Sequence, residues 1–157
     1  MQTRPWLWVL GQLILLTGIA AAPLAFRGEP RPVTTGLAVA LGLVSAGLGI
    51  AATLALGRST TPSPVPRAGG QLVCTGVYRY IRHPMYGCVW LGAAAWALYW
   101  QSGLAGLGLV VLGGFFGAKS RLEERLLRQR FPDYANYARH TGRFLPRLPG
   151  FQPPNPT

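Results

Sequence analysis

Two uninterrupted apolar stretches govern what this chain can fold into. Pro5 to Phe26 and Val33 to Gly57 carry no charged residue, and each is long enough to cross ~30 Å of hydrocarbon as a helix. Inside hydrocarbon the backbone must satisfy its own polar groups, and a helix does so within a single segment. Trp6 and Trp8 at the start of the first run suit the aromatic belt of a membrane interface. Ala20-Ala21-Ala22 has the small residues of a signal-peptidase site, so a cleaved leader competes with a retained anchor. The run exceeds a leader's usual apolar core of about 7–15 residues and is preceded by Arg4 alone, which favours the anchor.

Two shorter apolar segments, Met85–Trp100 and Gly103–Ala118, follow with only Gln101-Ser102 between them. Each has about 16 residues and spans roughly 24 Å as a helix, so a tight membrane hairpin is expected. Ala38, Gly42 and Ala46 form a small-residue stripe suited to close helix approach, and Gly113 with Gly117 offers a second such spot. Arg58 to Gly70, with Pro62, Pro64 and Pro66 alternating, reads as an extended linker. Beyond the hairpin, Lys119 to Phe131 has helical spacing, with Leu122, Leu126 and Leu127 on one face. Pro132 ends that helix, and Asp133 is placed to cap a short one bearing Tyr134 and Tyr137. Arg143 to Pro149 should run extended, and Pro153 to Thr157 should fray.

The expected fold is therefore all-α: a polytopic membrane bundle of about four transmembrane helices with a cytoplasmic C-terminal helical tail. It forms one membrane domain over residues 1–157. Residues 1–57 hold the first two helices, 58–84 a cytoplasmic linker, 85–118 the hairpin and 119–150 the tail helices.

Fifteen basic residues oppose four acidic ones, Glu29, Glu123, Glu124 and Asp133. Nucleic-acid binding does not follow, because the charges are excluded from the apolar runs and gather between and after them. With four crossings, Arg4, the arginines from Arg58 to Arg82 and the basic residues from Lys119 onward share one side, thirteen in all. Only Arg27 and Arg31 fall on the other. That bias places both termini, the central loop and the tail in the cytoplasm, facing anionic lipid. Cys74 and Cys88 have no Cys or His at ligand spacing, so neither a disulfide framework nor a metal site is expected. Cys88 reads as a small apolar residue in a buried helix.

The polar chemistry is concentrated in Gly76-Val-Tyr-Arg-Tyr-Ile-Arg-His-Pro-Met-Tyr-Gly87. If the hairpin forms, His83 enters its first arm at the rim where Glu123 and Glu124 leave the second. A histidine, tyrosines and a carboxylate would then line a pocket for an amphiphile. Each group also has a plainer reading. Glu124 suits an i, i+4 surface pair with Arg128 on a solvated helix, and Pro84 is ordinary at a first helical turn. His140 reads as surface.

These residues carry a resemblance. Gly-Val-Tyr-x-x-x-Arg-His-Pro-x-Tyr, an apolar hairpin, Glu-Glu-x-x-Leu and Phe-x-Asp-Tyr-x-x-Tyr, over roughly residues 70–147, together resemble the isoprenylcysteine carboxyl methyltransferase and phospholipid methyltransferase superfamily. The resemblance implies an integral membrane enzyme that uses S-adenosylmethionine without a Rossmann domain, and no Gly-x-Gly-x-x-Gly element stands here to suggest one. It implies cofactor contacts from Gln71, Leu72, Val73, Tyr78, His83, Pro84, Met85, Tyr86, Glu123 and Glu124, with Lys119, Arg121 and Glu123 at the reacting end. Glu123 would meet the cofactor's ammonium, and tyrosine faces would favour its sulfonium. The acceptor would be lipophilic, a prenylcysteine-type carboxylate or a lipid amine, entering between helices. Carboxyl-methylating relatives have arginine where Lys119 stands, and lysine lacks the planar fork that grips a carboxylate. Two other readings compete: an NADPH-dependent sterol-type membrane reductase, which shares an Arg-His-Pro-x-Tyr element, and a non-catalytic membrane scaffold. Neither the acceptor nor the oligomeric state is legible in the sequence.

Overall fold

A computed structural model of the chain describes residues 4–57 and 72–152. The expected linker from Arg58 to Gly70, the candidate Gln71 and the expected fraying from Pro153 lie outside the described residues. The described chain forms helices α1 (Pro5–Ala25), α2 (Pro32–Leu56), α3 (Pro84–Tyr99), α4 (Gly103–Arg130) and α5 (Tyr134–His140), with a 3₁₀ turn at Gly76–Arg79 ahead of α3. Among the described residues there is no β-strand, as the all-α reading requires.

Local grammar sets the helix boundaries. Pro5, Pro32 and Pro84 each open a helix, where the missing N–H costs nothing and the fixed φ is already helical. The Ser102 side chain accepts a hydrogen bond from the N–H of Ala105 and caps α4. Gly57 and Gly76 supply positive φ at the end of α2 and the start of the 3₁₀ turn. Asp133 sits at the cap position of α5 but makes no side-chain cap; its carbonyl accepts from Tyr137 N–H instead.

α1, α2 and α4 are each long and apolar enough to cross a membrane. They expose Leu13, Ile14, Leu43, Val44, Leu107 and Val110 outward, the arrangement of a bundle solvated by lipid. The chain is an integral membrane protein. α3, at 16 residues, is shorter and lies inside the bundle between α2 and α4.

One expectation is corrected here. The second hairpin arm and the tail helix are a single helix, because nothing between Ala118 and Arg130 interrupts i→i−4 bonding. Its 28 residues span roughly 42 Å, about 12 Å beyond the hydrocarbon. That overhang carries Glu123 and Glu124 past the apolar layer while rigidly joined to it.

α1 runs antiparallel to α4. A Cβ on Gly108 would lie 2.6 Å from Ile19 Cγ1, and one on Gly11 would lie 3.1 Å from Phe115 Cε2, so glycines permit this contact at both ends. Ile19, Ala22, Ala97, Ala105, Leu112 and Phe116 form the core between α1, α3 and α4. α2 packs against α3, where Ser45 Oγ donates to the Cys88 carbonyl at 2.7 Å and Gly92 leaves room for the hydroxyl. The seam runs through Ser45, Leu48, Gly49 and Ala52, so the expected Ala38–Gly42–Ala46 stripe is out of register. Ala38 is buried, but Gly42 faces open space. Of the second expected spot, Gly117 is likewise open but Gly113 meets α3, where a Cβ would lie 3.4 Å from Trp90 Nε1; the α1–α4 contact uses Gly11 and Gly108. Cys88 is buried, as expected, with its thiol donating to the Met85 carbonyl.

This pairing puts the start of α1, the end of α2, the start of α3 and the charged end of α4 at one rim. The opposite rim holds the α1–α2 and α3–α4 turns, where Gly28 N–H donates to the Trp100 carbonyl at 3.1 Å.

Candidate active site

The tail folds back over the entrance to α3. Arg82 and His83 donate backbone N–H bonds to the carbonyls of Gly142 and Arg143 at 2.8 and 3.0 Å, and Phe151 donates to that of Arg79 at 2.9 Å. Tyr137 donates its hydroxyl to the Tyr78 carbonyl at 2.7 Å. Tyr134, Tyr137 and Phe151 bury themselves with Leu72, Cys74, Leu127 and Phe131 in a second small core. Burial pushes the Tyr134 and Tyr137 phenols above their ordinary range; it pushes the Cys74 thiol up to about 11, Asp133 adding to the shift.

His83 joins the two acids. Its Nε2 lies 3.3 Å from Glu124 Oε1 and its Nδ1 lies 3.6 Å from Glu123 Oε2. The ring stacks on Tyr86 at 5.4 Å and 2°, and Tyr86 stacks on Phe116 at 4.8 Å and 9°. Phe144 of the tail tilts against His83 at 6.0 Å. Tyr86 donates its hydroxyl to Glu123 Oε2 at 2.8 Å. The histidine and the acidic pair, 40 residues apart in sequence, share one site.

The two carboxylates differ in what surrounds them. Glu124 is 2% exposed, and Arg143 grips it bidentately, Nε and Nη2 each at 3.0 Å. Arg82 Nε adds a third bond at 3.1 Å, and Arg128 stands at 3.7 Å. The bond to Glu124 in turn raises the Arg143 guanidinium above its usual range. Arg82 also donates to the carbonyls of Ala138 and Thr141. A buried carboxylate ringed by cations and bonded this fully is a structural hub. The pair with Arg128 exists, but the expected solvated helix does not. Glu123 is 27% exposed and holds only lighter contacts, so it keeps room for a cationic ligand.

The other expected residues are placed as follows. Lys119 is fully buried, its Nζ 2.6 Å from Gln12 Oε1 and 5.2 Å from the centre of the Tyr86 ring. Tyr78 is buried; burial and the charge of Glu123 raise its phenol. Pro84 is buried at the first turn of α3, while Met85 turns to α2, where Thr53 Oγ1 approaches its sulfur at 3.9 Å. Leu72 belongs to the tail core, and Val73 is half-buried beside it in sequence. Arg121 is exposed and stands apart from the cluster. His140 is exposed, yet its Nδ1 lies 3.0 Å from the Asn136 carbonyl and its ring rests near Phe151.

Beside the stack lies a cavity of about 410 Å³, lined by Tyr86, Gly87, Trp90, Gly113, Phe116 and Phe144 among others. Its size falls within the ~300–1,000 Å³ of small-molecule sites. Tyr86 faces this apolar space and bonds Glu123 at once, so it connects hollow to charge.

The family profile described as phospholipid methyltransferase matches residues 33–134. The chain belongs to this family. The phospholipid methyltransferase match takes in α2, α3 and α4, and with them His83, Tyr86, Glu123 and Glu124; it ends before Arg143 and Phe144. The superfamily is one of integral membrane methyltransferases, so the earlier resemblance holds. The nickel-cobalt-cadmium resistance protein NccN of Alcaligenes xylosoxydans xylosoxydans is 36% identical over 87 residues, 55% of this chain and 41% of that protein. The cobalt-zinc-cadmium resistance protein CzcN of Cupriavidus metallidurans is 38% identical over 84 residues, 52% of this chain and 38% of that protein. An uncharacterized protein of Schizosaccharomyces pombe is 36% identical over 90 residues, 48% of this chain and 24% of it. The chain thus matches about two fifths of the two bacterial proteins' length.

Arg143, Phe144 and Gln12 were not expected at the site, and Arg82, though part of the Arg-His-Pro motif, was given no role of its own. A signal for the arginines exists: with four acids among fifteen bases, an acid that the fold buries will gather several cations.

Proposed function

We propose that this protein is an S-adenosylmethionine-dependent methyltransferase acting on a lipophilic acceptor at the cytoplasmic face of a membrane. One observation carries the reading: His83 bridges Glu123 and Glu124 beside the Tyr86–Phe116 stack, next to an apolar cavity of about 410 Å³. The residues present suit the cofactor. Glu123 is a partly open carboxylate for an ammonium group, and aromatic faces beside it favour a sulfonium cation. When bound, the cofactor supplies an electrophilic methyl group to an acceptor lone pair.

The chain's own contribution is placement and field. Glu124, held by Arg82 and Arg143, fixes the imidazole from one side and leaves Glu123 to face the ligand. Tyr86 orients Glu123 through its hydroxyl. Phe144 and Leu145 close the cavity from the tail side, excluding water and holding an apolar chain near Glu123, so that much of the rate comes from orientation. Lys119 brings positive charge under the Tyr86 ring, and Arg121 remains at the water-facing rim. Cytoplasmic facing rests on the thirteen basic residues assigned to this rim's side.

The bacterial relatives are named for metal resistance. Among the described residues no group of three or more His, Cys, Asp and Glu stands together to hold a metal, and the methyl-transfer reading rests on the rim. Purified protein in nanodiscs, given methyl-labelled S-adenosylmethionine and a membrane lipid extract, should place label in an organic-soluble product. No label in any extract, together with thermal stabilisation by NADPH and none by S-adenosylhomocysteine, would replace this reading with the reductase.

A further inference from the structure

The strap after α5 separates its charges from its leucines. Arg143 reaches in to Glu124, and the Arg147 guanidinium donates to the Arg139 carbonyl near the end of α5. Leu145 and Leu148 are left 78% and 76% exposed. A single exposed leucine means little, but the level at which Leu145 lies is informative. It borders the cavity of about 410 Å³ together with Leu48, Val110, Gly113 and Gly114 of α2 and α4. Gly113 and Gly114 stand six and five residues before Lys119, the first charge of α4, and so roughly 8 Å further down its axis. Val110, deeper still, is 73% exposed on the outward side of that membrane-spanning helix. The chain thus dips from the charged rim back to the apolar part of the bundle.

The backbone of this stretch suits an apolar setting, where an N–H without a partner is costly. Pro146 and Pro149 have no N–H, and that of Arg147 donates to the Tyr80 carbonyl at 3.2 Å. We propose that Leu145–Leu148 is a membrane-seated anchor: both leucines enter the acyl chains of the leaflet beside the rim, and Arg147 stays above them at headgroup level. Lipid is the occupant of this face because the cavity edge joins Leu145 to Val110, which already faces lipid. The anchor sets the lip of the cavity in the acyl layer, so that an apolar chain passes between bilayer and cavity without crossing water. That use of the lip rests on the proposed activity; the seating itself does not.

Spin-label accessibility tests the seating in the full chain, reconstituted in vesicles of phosphatidylcholine and phosphatidylglycerol. Leu145→Cys and Leu148→Cys, both at exposed positions, carry the nitroxide, and Ala135→Cys on the exposed side of α5 gives the water reference. The unmodified protein supplies the labelling blank at neutral pH, since Cys88 is buried and the Cys74 thiol is pushed up to about 11. Oxygen concentrates among acyl chains and a neutral nickel chelate stays in water. Collisions with oxygen should exceed those with nickel at both strap positions, and the order should reverse at the α5 position. An excess of nickel collisions at either strap position would overturn the anchor, because the strap then faces water. Shielding from both reagents would overturn it too, because protein, a second copy or another segment of this chain, then covers the leucines. Neither cofactor nor acceptor enters the measurement, so methyl transfer can fail while the anchor stands, and the anchor can fail while methyl transfer stands.

Discussion

Glu123 and Glu124 are adjacent in sequence and have opposite situations, because one residue of helix turns the side chain by about 100°. Glu124 is turned into the tail and held by Arg82 and Arg143; Glu123 is turned to Tyr86 and the open side. Glu124→Gln should therefore destabilise the rim, toward the lower end of the about 3–5 kcal/mol for breaking a buried pair, since Arg82 and Arg143, 11% and 33% exposed, lose their counter-charge but keep some solvent; denaturation in detergent measures it. Glu123→Gln should leave thermal stability nearly unchanged. The opposite ranking would contradict the assignment of roles. At the tail core, the Cys74 thiol pushed up to about 11 is the neutral form at working pH. About one thiol in a thousand is ionised at pH 8, against roughly a quarter for a free cysteine. Alkylation of Cys74 should be slow at pH 8 and rise steeply toward pH 11, and rapid labelling at pH 8 would show that the tail is undocked.

At the scale of elements, the tail is a strap whose glycines cannot be replaced. A Cβ on Gly150 would lie 2.6 Å from the Arg79 carbonyl oxygen and 2.7 Å from the Tyr80 ring, whereas one on Gly114 meets nothing. Gly150→Ala should release the segment after Thr141 to limited proteolysis, with Gly114→Ala cut no faster than the unmodified protein. The apolar runs made α1 and α2 legible almost to the residue, because Pro5 and Pro32 mark where each begins. The hairpin turn at Gln101-Ser102 was legible for similar reasons. The unity of α4 was not: a change from apolar to charged residues at Lys119 marks the edge of the lipid, which a helix crosses without breaking. The α2 stripe was misplaced by one register, since small residues crowd that helix and spacing cannot say which of them a partner meets. Of the site, His83, Tyr86 and Glu123 were legible as a motif. Arg143, Phe144 and Gln12 were not, because they arrive through tertiary folding from segments without distinctive spacing.

Across the whole molecule, helix pairing brings one rim's chemistry together and leaves the far rim with two short turns. The proposed orientation turns the near rim, with the thirteen basic residues assigned to its side, toward the cytoplasm. Protease added to sealed right-side-out vesicles should spare the tail, and should cut it once the vesicles are inverted. The rim built by His83, Tyr86 and Glu123 is proposed to receive S-adenosylmethionine. Calorimetric titration of S-adenosylhomocysteine into the unmodified protein and into Glu123→Gln decides this. Saturable one-site binding is expected for the first and binding weakened at least about tenfold for the second, with both proteins equally folded. Equal affinity in the two, or no binding to the unmodified protein, would contradict it.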